Sequence, residues 1–366
     1  MNQDKINLCF YAEGDDIKIA QLLHDNFPNT FEPDSIQRIW RWQFRNGFSK
    51  NSGVAIAKRA DQVVAQYAVM WFPMVYKGQP IDGAISTATV TDKSVRGQGL
   101  FTKLAAKVYQ DIAIAGAKIV YGFPNSQSIN GFIKRLEWFE VAPFPIHIKP
   151  VDSSAFIRKI IGDNAIARLL GGAGNIFLRL IVGTFRFRHR RTDINFRQIS
   201  DIPNALDKLW KTTCIAGKIA LVRNKKYLTW RYLEKPFFSY DIHVAMTKDE
   251  KLCGCIITHT AEKFGMKIIF VMELIAEKDD PAVCQVLLGE LNHMARMQGA
   301  VAVSLLILPG NPNHSLYLKN GYLPVPRRLF PQYIFFGARV NSPDIDPAYT
   351  KDRANWYISW GDLDVV

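Results

Sequence analysis

Thr87-Ala88-Thr89-Val90-Thr91-Asp92-Lys93-Ser94-Val95-Arg96-Gly97-Gln98-Gly99-Leu100-Phe101-Thr102-Lys103-Leu104 is the stretch that decides the fold. It runs out of a β-branched, alternating segment that begins near Ile85, the pattern of a half-buried strand. It then passes through Arg96-Gly97-Gln98-Gly99. Beyond the glycines, Phe101, Leu104, Ala105, Val108, Ile112 and Ala115 recur at steps of three and four residues, one face of a helix. Glycines let a backbone turn tightly and approach a ligand without a side chain in the way. The first N–H groups of a helix have no partner inside it, and with the helix dipole they make a site for a phosphate or diphosphate. Arg96 adds a fixed positive charge.

A Gly-x-Gly alone also fits an ordinary strand-to-helix turn, so the residues beyond it carry weight. A second buried strand, Ala117 to Phe123, comes one helix later and ends in Pro124-Asn125. Another helix, Ser128 to Leu136, closes on Trp138. The order strand, glycine loop, helix, strand, helix resembles the GNAT acyltransferase superfamily. Its central motif, Arg/Gln-x-x-Gly-x-Gly/Ala, is matched by Val95-Arg96-Gly97-Gln98-Gly99-Leu100, with the arginine directly before the first glycine. The order Arg-Gly-x-Gly-Leu-x-x-x-Leu, common in that superfamily, is completed by Leu104. A dinucleotide fold would want a third glycine where Thr102 stands, and it is set aside.

The chain has 366 residues, which suits two domains. Nearly half of the residues are apolar, enough for two cores, and the net charge is +13. Such a charge serves an anionic cofactor, nucleic acid or an acidic membrane surface. The five cysteines, Cys9, Cys214, Cys253, Cys255 and Cys284, lack metal-ligand spacing and read as buried free thiols; no metal is expected. Met1 to Phe10 shows no signal-peptide pattern, and no apolar run reaches the roughly 18 residues of a spanning helix. A cytoplasmic location is expected, with membrane association as a further option.

The rest of the chain organises around the glycine loop. Ile17 to Leu23 and Ile36 to Phe44 read as helices, and Trp40-Arg41-Trp42 reads either as core aromatics with a surface arginine or as a wall of the acceptor pocket. Val54 to Lys58 and Gln62 to Trp71 form a hairpin, and Ile81 to Thr91 is the strand that enters the loop. Between Val151 and Asp193, Gly171-Gly172-Ala173-Gly174 breaks two apolar pieces, and Arg186, Arg188, Arg190 and Arg191 cluster beside Phe185 and Phe187. Two readings stand for it: a basic helical linker, or peripheral membrane contact through residues 156–191. The second half echoes the first. Trp230-Arg231-Tyr232, Pro309 and Tyr322 follow Trp40-Arg41-Trp42, Pro124 and Trp138 at near-constant offsets, which points to duplicated units. Its strand-to-helix connection, Ala276-Glu277-Lys278-Asp279-Asp280-Pro281, carries three acids and no glycine, a poor diphosphate cradle. The end of the chain, Trp356 to Asp364, reads either as a docked strand with solvated carboxylates or as a segment folded over a domain cleft.

The expected fold class is therefore α/β (α+β), two GNAT-like mixed-sheet domains in tandem joined by a basic helical linker. The expected divisions are 1–150 with the acyl-CoA loop, 151–193 as linker, 194–340 without the loop, and 341–366 as tail. The Trp-Arg-Tyr repeat and Gly-Asp-x-Asp tail are similar to tandem GNAT-like proteins of bacterial surface-polysaccharide contexts. The resemblance implies transfer of an acetyl group from acetyl-CoA to a primary amine, such as an amino sugar or surface-glycan precursor. It implies diphosphate contacts from the N–H groups of Gly97, Gln98, Gly99, Leu100 and Phe101, with Arg96 and Thr102. The Thr89-Val90-Thr91 strand would polarise the thioester carbonyl, and Asn125 and Ser128 would meet the pantetheine arm. Asp92 and Glu137 are the candidate bases. The superfamily's tyrosine acid is missing, since Phe132 and Ile133 stand near its place, while Tyr317 in Tyr317-Leu318-Lys319-Asn320-Gly321-Tyr322 belongs to the half without the loop. Neither nucleic acid nor a stable protein partner is expected. Two other readings stay open: a tRNA-dependent aminoacyl ligase of the two-GNAT-fold type, and a non-catalytic CoA-binding scaffold.

Overall fold

The computed structural model describes residues 5–27, 31–45, 48, 53–152, 157, 193–213, 217–263, 265–277, 280–326 and 334–363. Apart from residue 157, the basic stretch 156–191 lies outside the described residues, as does nearly all of the 151–193 division. Two compact units divide the chain. The first takes Met1–Phe144, Glu234–Phe238 and Gln332–Arg353; the second takes Pro145–Leu233, Ser239–Pro331 and Ala354–Val366.

The first unit opens with β1 (Ile6–Phe10), α1 (Asp15–Asn26) and α2 (Pro33–Phe44). A meander of β2 (Gly53–Arg59), β3 (Gln62–Tyr76) and β4 (Gln79–Thr91) comes next. The β3–β4 turn is Lys77-Gly78, both at positive φ, the geometry that lets two residues close a twisted hairpin. Then come α3 (Leu100–Ile114), β5 (Ile119–Gly122), α4 (Ile129–Arg135) and β6 (Phe139–Pro143). The periodic face read from the sequence is the buried one: Leu104, Ala105, Val108 and Ile112 of α3 pack on Ala55, Ala57, Val69 and Trp71. Each fully buried aliphatic side chain contributes roughly 1.5–3 kcal/mol.

The second unit repeats this order. It holds β7 (Ile146–Pro150), β8 (Ile194–Ile199), the helix Ala205–Thr212, β9 (Ile219–Leu221), the helix Lys225–Tyr232, β10 (Asp241–Thr247), β11 (Leu252–Lys263), β12 (Met266–Ala276), the helix Pro281–Met297, β13 (Ala302–Leu306), the helix His314–Lys319 and β14 (Leu323–Pro324). In the first unit β4 pairs parallel with β5; in the second β12 pairs parallel with β13. The echo seen in the sequence is thus an echo of folds.

The strand orders hold what the sequence did not reveal. The first unit runs β1-β2-β3-β4-β5-β15-β6, where β15 is Phe335–Val340; the second runs β14-β7-β13-β12-β11-β10-β8. β15, from the end of the chain, lies antiparallel between β5 and β6. β7, from before residue 150, lies antiparallel between β13 and β14. These units therefore differ from the contiguous division 1–150, 194–340 and 341–366. Strand pairing is non-local, and no propensity marks which sheet a strand will join. The tail also divides: the helix Pro347–Lys351 goes with the first unit and Ala354 onward with the second.

Among the described cysteines, Cys253, Cys255 and Cys284 are buried thiols, Cys253 with its Sγ–H on Ala245 O at 3.3 Å, and Cys9 is only partly buried; Cys214 lies outside the described residues. One core residue is unexpected. Lys149 on β7 is only 4% exposed, and its Nζ has no hydrogen-bond partner among the described residues. It lies 5.5 Å from the centre of the Tyr322 ring. Burial, with a smaller push from Arg296, lowers its pKa to about 7.

Two outcomes are expected. A chain cut after residue 150 lacks β15, so β5 loses the strand on one of its edges; it should aggregate or show no cooperative melt by circular dichroism. Lys149→Met should raise the melting temperature at pH 6 to 7. Folded Lys149 gives up its proton near pH 7, whereas the unfolded side chain keeps it to about 10.5. Wild-type stability then rises through that window, so the variant's advantage should shrink by about 2 kcal/mol between pH 7 and 9. A margin that stays flat with pH would contradict the burial argument.

Candidate functional site

The site begins with a fault in β4. Gln66 stands opposite Val90 and Ala68 opposite Thr87, so β4 holds an extra residue against Tyr67. Ala88, within that bulge, has φ +49°, a conformation that costs a non-glycine residue about 1 kcal/mol or more. Bulges bend and twist a strand, and here the bend separates neighbours. β4 pairs with β5 only from Gly83 to Ser86, against Ile119 to Gly122. From Thr87 to Thr91 the edge of β4 facing β5 is open. Asp92 N–H bonds Val64 O of β3 at 2.9 Å. Alternation then gives Val90 to β3 and turns the N–H groups of Thr89 and Thr91 to the open edge. Of the three residues expected to face a ligand, Val90 faces the sheet instead, and its side chain is buried.

A buried chain holds the bulge. The Gln66 side chain donates Nε2–H to Ala88 O at 2.6 Å, and Trp40 donates Nε1–H to Gln66 Oε1 at 2.9 Å. Both side chains are almost completely buried. Trp40 is a core aromatic, as its sequence context predicts, and it also fixes the shape of the cleft.

The glycine loop lies just past the open edge. Gly97 has φ +82° and Gly99 φ +70°. Gly99 is the N-cap of α3, with no side-chain cap bond, and Lys103 N–H is the first to bond back, to Gly99 O at 3.1 Å. The N–H groups of Leu100, Phe101 and Thr102, in the helix's first turn, therefore have no helical partner. A Cβ on Gly97 would meet nothing within 4 Å, so the space before the loop is open. Arg96 donates Nε–H to Thr91 O at 3.2 Å, tying the loop to the end of β4. Arg59 reaches Ser94 Oγ at 3.3 Å, and the Lys103 side chain passes 4.0 Å from the Cβ position of Gly99. These two cations join Arg96 around the loop, and the sequence had not marked them.

Other expected residues have local duties. Thr102 Oγ1–H bonds Gly99 O at 3.0 Å and so serves the loop itself. Asn125 Oδ1 accepts from Gln127 N–H and Ser128 N–H at 3.0 and 3.2 Å, and the Ser128 hydroxyl turns back onto Asn125. This pair builds the entry to α4. Asp92 Oδ1 accepts from the Ser94 hydroxyl at 2.6 Å and its N–H at 2.9 Å, and these bonds hold its carboxyl below the usual range. A carboxylate held this way is a weak base. Glu137, whose side chain is 80% exposed, pairs with Arg339 of β15 at 2.8 Å. Asp92 and Glu137 thus have separate partners, and the structure gives them no shared task.

The corresponding place in the second unit is closed twice over. Asp280 caps the helix Pro281–Met297, its Oδ1 accepting from Ala282 and Val283 N–H at 3.1 and 3.3 Å. The protein's own carboxylate thus occupies the anion position. β12 and β13 pair only from Ile268 to Phe270. Trp360 lies over that point, 5.1 Å edge-on to Phe270, and donates Nε1–H to Ser304 Oγ at 3.2 Å. A buried ionic group anchors this segment. Arg223 bonds Glu273 Oε2 at 2.7 Å, Asp362 Oδ2 at 2.5 Å and Ser359 Oγ at 3.0 Å. Gly361 fits because a Cβ there would come within 2.2 Å of Glu273 and 2.3 Å of the Tyr232 hydroxyl. The solvated carboxylate expected at Asp362 is instead buried, because Arg223 needs a counter-charge where water is excluded.

The Gln66 bridge can be tested. Gln66→Leu leaves the Trp40 N–H and the Ala88 carbonyl buried without partners, at a cost of about 1–3 kcal/mol. A lower urea midpoint is expected, with faster hydrogen exchange at residues 87–91.

A family model described as an acetyltransferase (GNAT) domain matches residues 11–139. No curated protein matches the chain. Among solved structures, a protein of unknown function from Enterococcus faecalis V583, described as a probable N-acyltransferase, is similar with TM-score 0.63 and 9% identity, over 92% of this chain and 73% of that one. A GCN5-related N-acetyltransferase from Anabaena variabilis gives TM-score 0.62 and 12% identity, over 92% and 73%. N-myristoyltransferase from Saccharomyces cerevisiae with bound myristoylCoA gives 0.57 and 11%, over 96% and 89%. At such identities the likeness is one of fold.

Proposed function

We propose that this chain, whose residues 11–139 match a family model described as an acetyltransferase (GNAT) domain, transfers an acyl group from an acyl-CoA thioester to a primary amine. The observation that carries this reading is the pairing of an open helix start with an open strand edge. Gly97 and Gly99 leave the first turn of α3 uncapped, and the bulge at Ala88 leaves Thr87 to Thr91 unpaired on the side of β5. A diphosphate suits the first feature, and an extended arm bearing two amides suits the second.

In this reading the N–H groups of Gly97 to Phe101 cradle the diphosphate, with Arg96, Arg59 and Lys103 supplying positive charge. Thr89 and Thr91 offer backbone groups to the pantetheine amides, and Asn125 has a free side-chain NH2 among the described residues to join them. The chemistry is direct attack. The amine nitrogen forms a bond to the thioester carbon, and the C–S bond breaks with its electron pair on sulfur. Asp92 and Glu137 are spoken for by their neighbours, so the amine's proton goes to water. The first unit alone binds the donor, since Asp280 and Trp360 fill the matching places in the second. Myristoyl-CoA in the yeast neighbour supports a CoA-borne donor of some acyl length, and acetyl is the form the domain's description favours. An amino sugar or surface-glycan precursor is the acceptor class we favour.

Calorimetry with acetyl-CoA tests this. Micromolar binding by the wild type is expected, and Gly99→Val should weaken it by at least tenfold, because valine at φ +70° is strained and its side chain enters the cradle. Release of free thiol across a panel of amino sugars and small amines then identifies the acceptor. Normal acetyl-CoA binding by Gly99→Val would rule out the loop as the diphosphate site.

A further inference from the structure

The closed end of the cleft holds a chain of hydroxyls with a readable direction. Trp138 donates Nε1–H to the Tyr109 hydroxyl at 2.8 Å. Tyr109 and Tyr67 share a short hydroxyl–hydroxyl hydrogen bond. Tyr67 meets Ser86 Oγ at 2.7 Å. An indole N–H can only donate. Tyr109 oxygen therefore accepts from Trp138. The arrangement that leaves no buried phenol proton without an acceptor sends the Tyr109 proton to Tyr67 and the Tyr67 proton to Ser86. Burial raises the pKa of both phenols, so both remain donors at neutral pH. The Arg339 guanidinium, 4.7 Å over the Tyr109 ring, draws electron density toward the start of the chain. The Ser86 proton is then the last in the line. Among the described residues no acceptor claims it.

Ser86 is the last residue of β4 that pairs with β5, opposite Gly122. The strands part immediately beyond it, and its side chain is half-buried. Gly122 carries no side chain into this corner; a Cβ there would lie 3.0 Å from Ser86 O and 3.4 Å from the Trp138 ring. An acyl-CoA whose diphosphate lies at Gly97 runs its arm back along the open edge, so its thioester arrives at the closed end. In the second unit the corresponding corner is filled by Trp360, which bonds Ser304 there.

We propose that Ser86 donates a hydrogen bond to the leaving sulfur of the thioester, in place of the missing tyrosine acid. This rests on the reading of the loop as a CoA site. As nitrogen attacks, the C–S bond breaks and sulfur gains the electron pair. Ser86 Oγ–H steadies that charge while keeping its own proton, because a serine hydroxyl is a far weaker acid than a thiol. The thiolate takes its proton from solvent after release. Tyr67, Tyr109 and Trp138 are positioning residues, since each acts through the next and their aligned bonds strengthen the last one.

Free coenzyme A itself is the probe, so no acceptor is needed. A donor aimed at sulfur favours the bound thiolate and pulls the thiol pKa below the value of about 8.5 usual for a free thiol. Calorimetric affinity for CoA should therefore rise between pH 6.5 and 9 by about tenfold more than affinity for desulfo-CoA, which lacks the sulfur. Ser86→Ala should lose that extra rise while binding desulfo-CoA like the wild type, and Ser86→Thr should keep it. An identical rise in Ser86→Ala overturns the role of Ser86 while leaving the loop assignment intact. Failure of the wild type to bind either nucleotide overturns the loop assignment and this role with it. Should Ser86→Ala not fold, ultraviolet titration of CoA thiolate on the wild type decides alone: an unshifted thiol pKa overturns the proposal.

Discussion

One side-chain amide keeps this site open. Gln66 holds the carbonyl of Ala88 in a bulge that a regular strand would straighten, and Trp40 holds Gln66 in turn. Without that bridge β4 could continue its pairing with β5 beyond Ser86. The gap in the sheet would close, and the loop at Gly97 would face a complete sheet edge. The strain stored at Ala88 persists because buried partners on two other elements fix it. The cleft is therefore a product of packing on the α2 side of the sheet as much as of the glycines on the α3 side.

The two units show how one architecture is opened or closed by few residues. At the helix start the difference is Gly99 against Asp280: one leaves amide protons for an outside anion, the other supplies the anion. At the strand junction the difference is Ser86 beside Gly122 against Phe270 beside Ser304 with Trp360 laid over them. Trp360 is held there by burying Arg223 between Glu273 and Asp362. Removing any one of these charges would leave the others uncompensated in a dry interior.

The connectivity ties the units to one chain. β7 comes after β6 in sequence yet completes the second sheet, and β15 comes after β14 yet completes the first. Neither half of the sequence contains all the strands of its own sheet. Both insertions pair antiparallel beside the strand that succeeds the crossover helix, the position where a sheet otherwise ends. Pairing both edges of β5 and of β13 also removes exposed hydrogen-bonding groups that would invite aggregation.

Local patterning in the sequence determined the elements: the meander before residue 91, the glycine-started helix, the strand after it, and their repetition after residue 240. It also showed that the residue types of the first strand-to-helix connection suit an anion and those of the second do not, glycines standing in one and three acids in the other. Tertiary structure decided which groups do anything at that place. Ser86, Tyr67 and Tyr109 lie 19 and 42 residues apart along their two bonds, and such contacts leave no periodic trace in a sequence. The same holds for Gln66 at Ala88 and for Arg223 at Asp362. It was also folding that took Asp92, Glu137, Thr102 and Ser128 out of the free state in which a sequence presents them, because each lies within reach of a partner that only the folded chain, or its local turn, brings near. Spacing fixes how a backbone coils; hydrogen-bond satisfaction in three dimensions fixes which side chains are left over for chemistry.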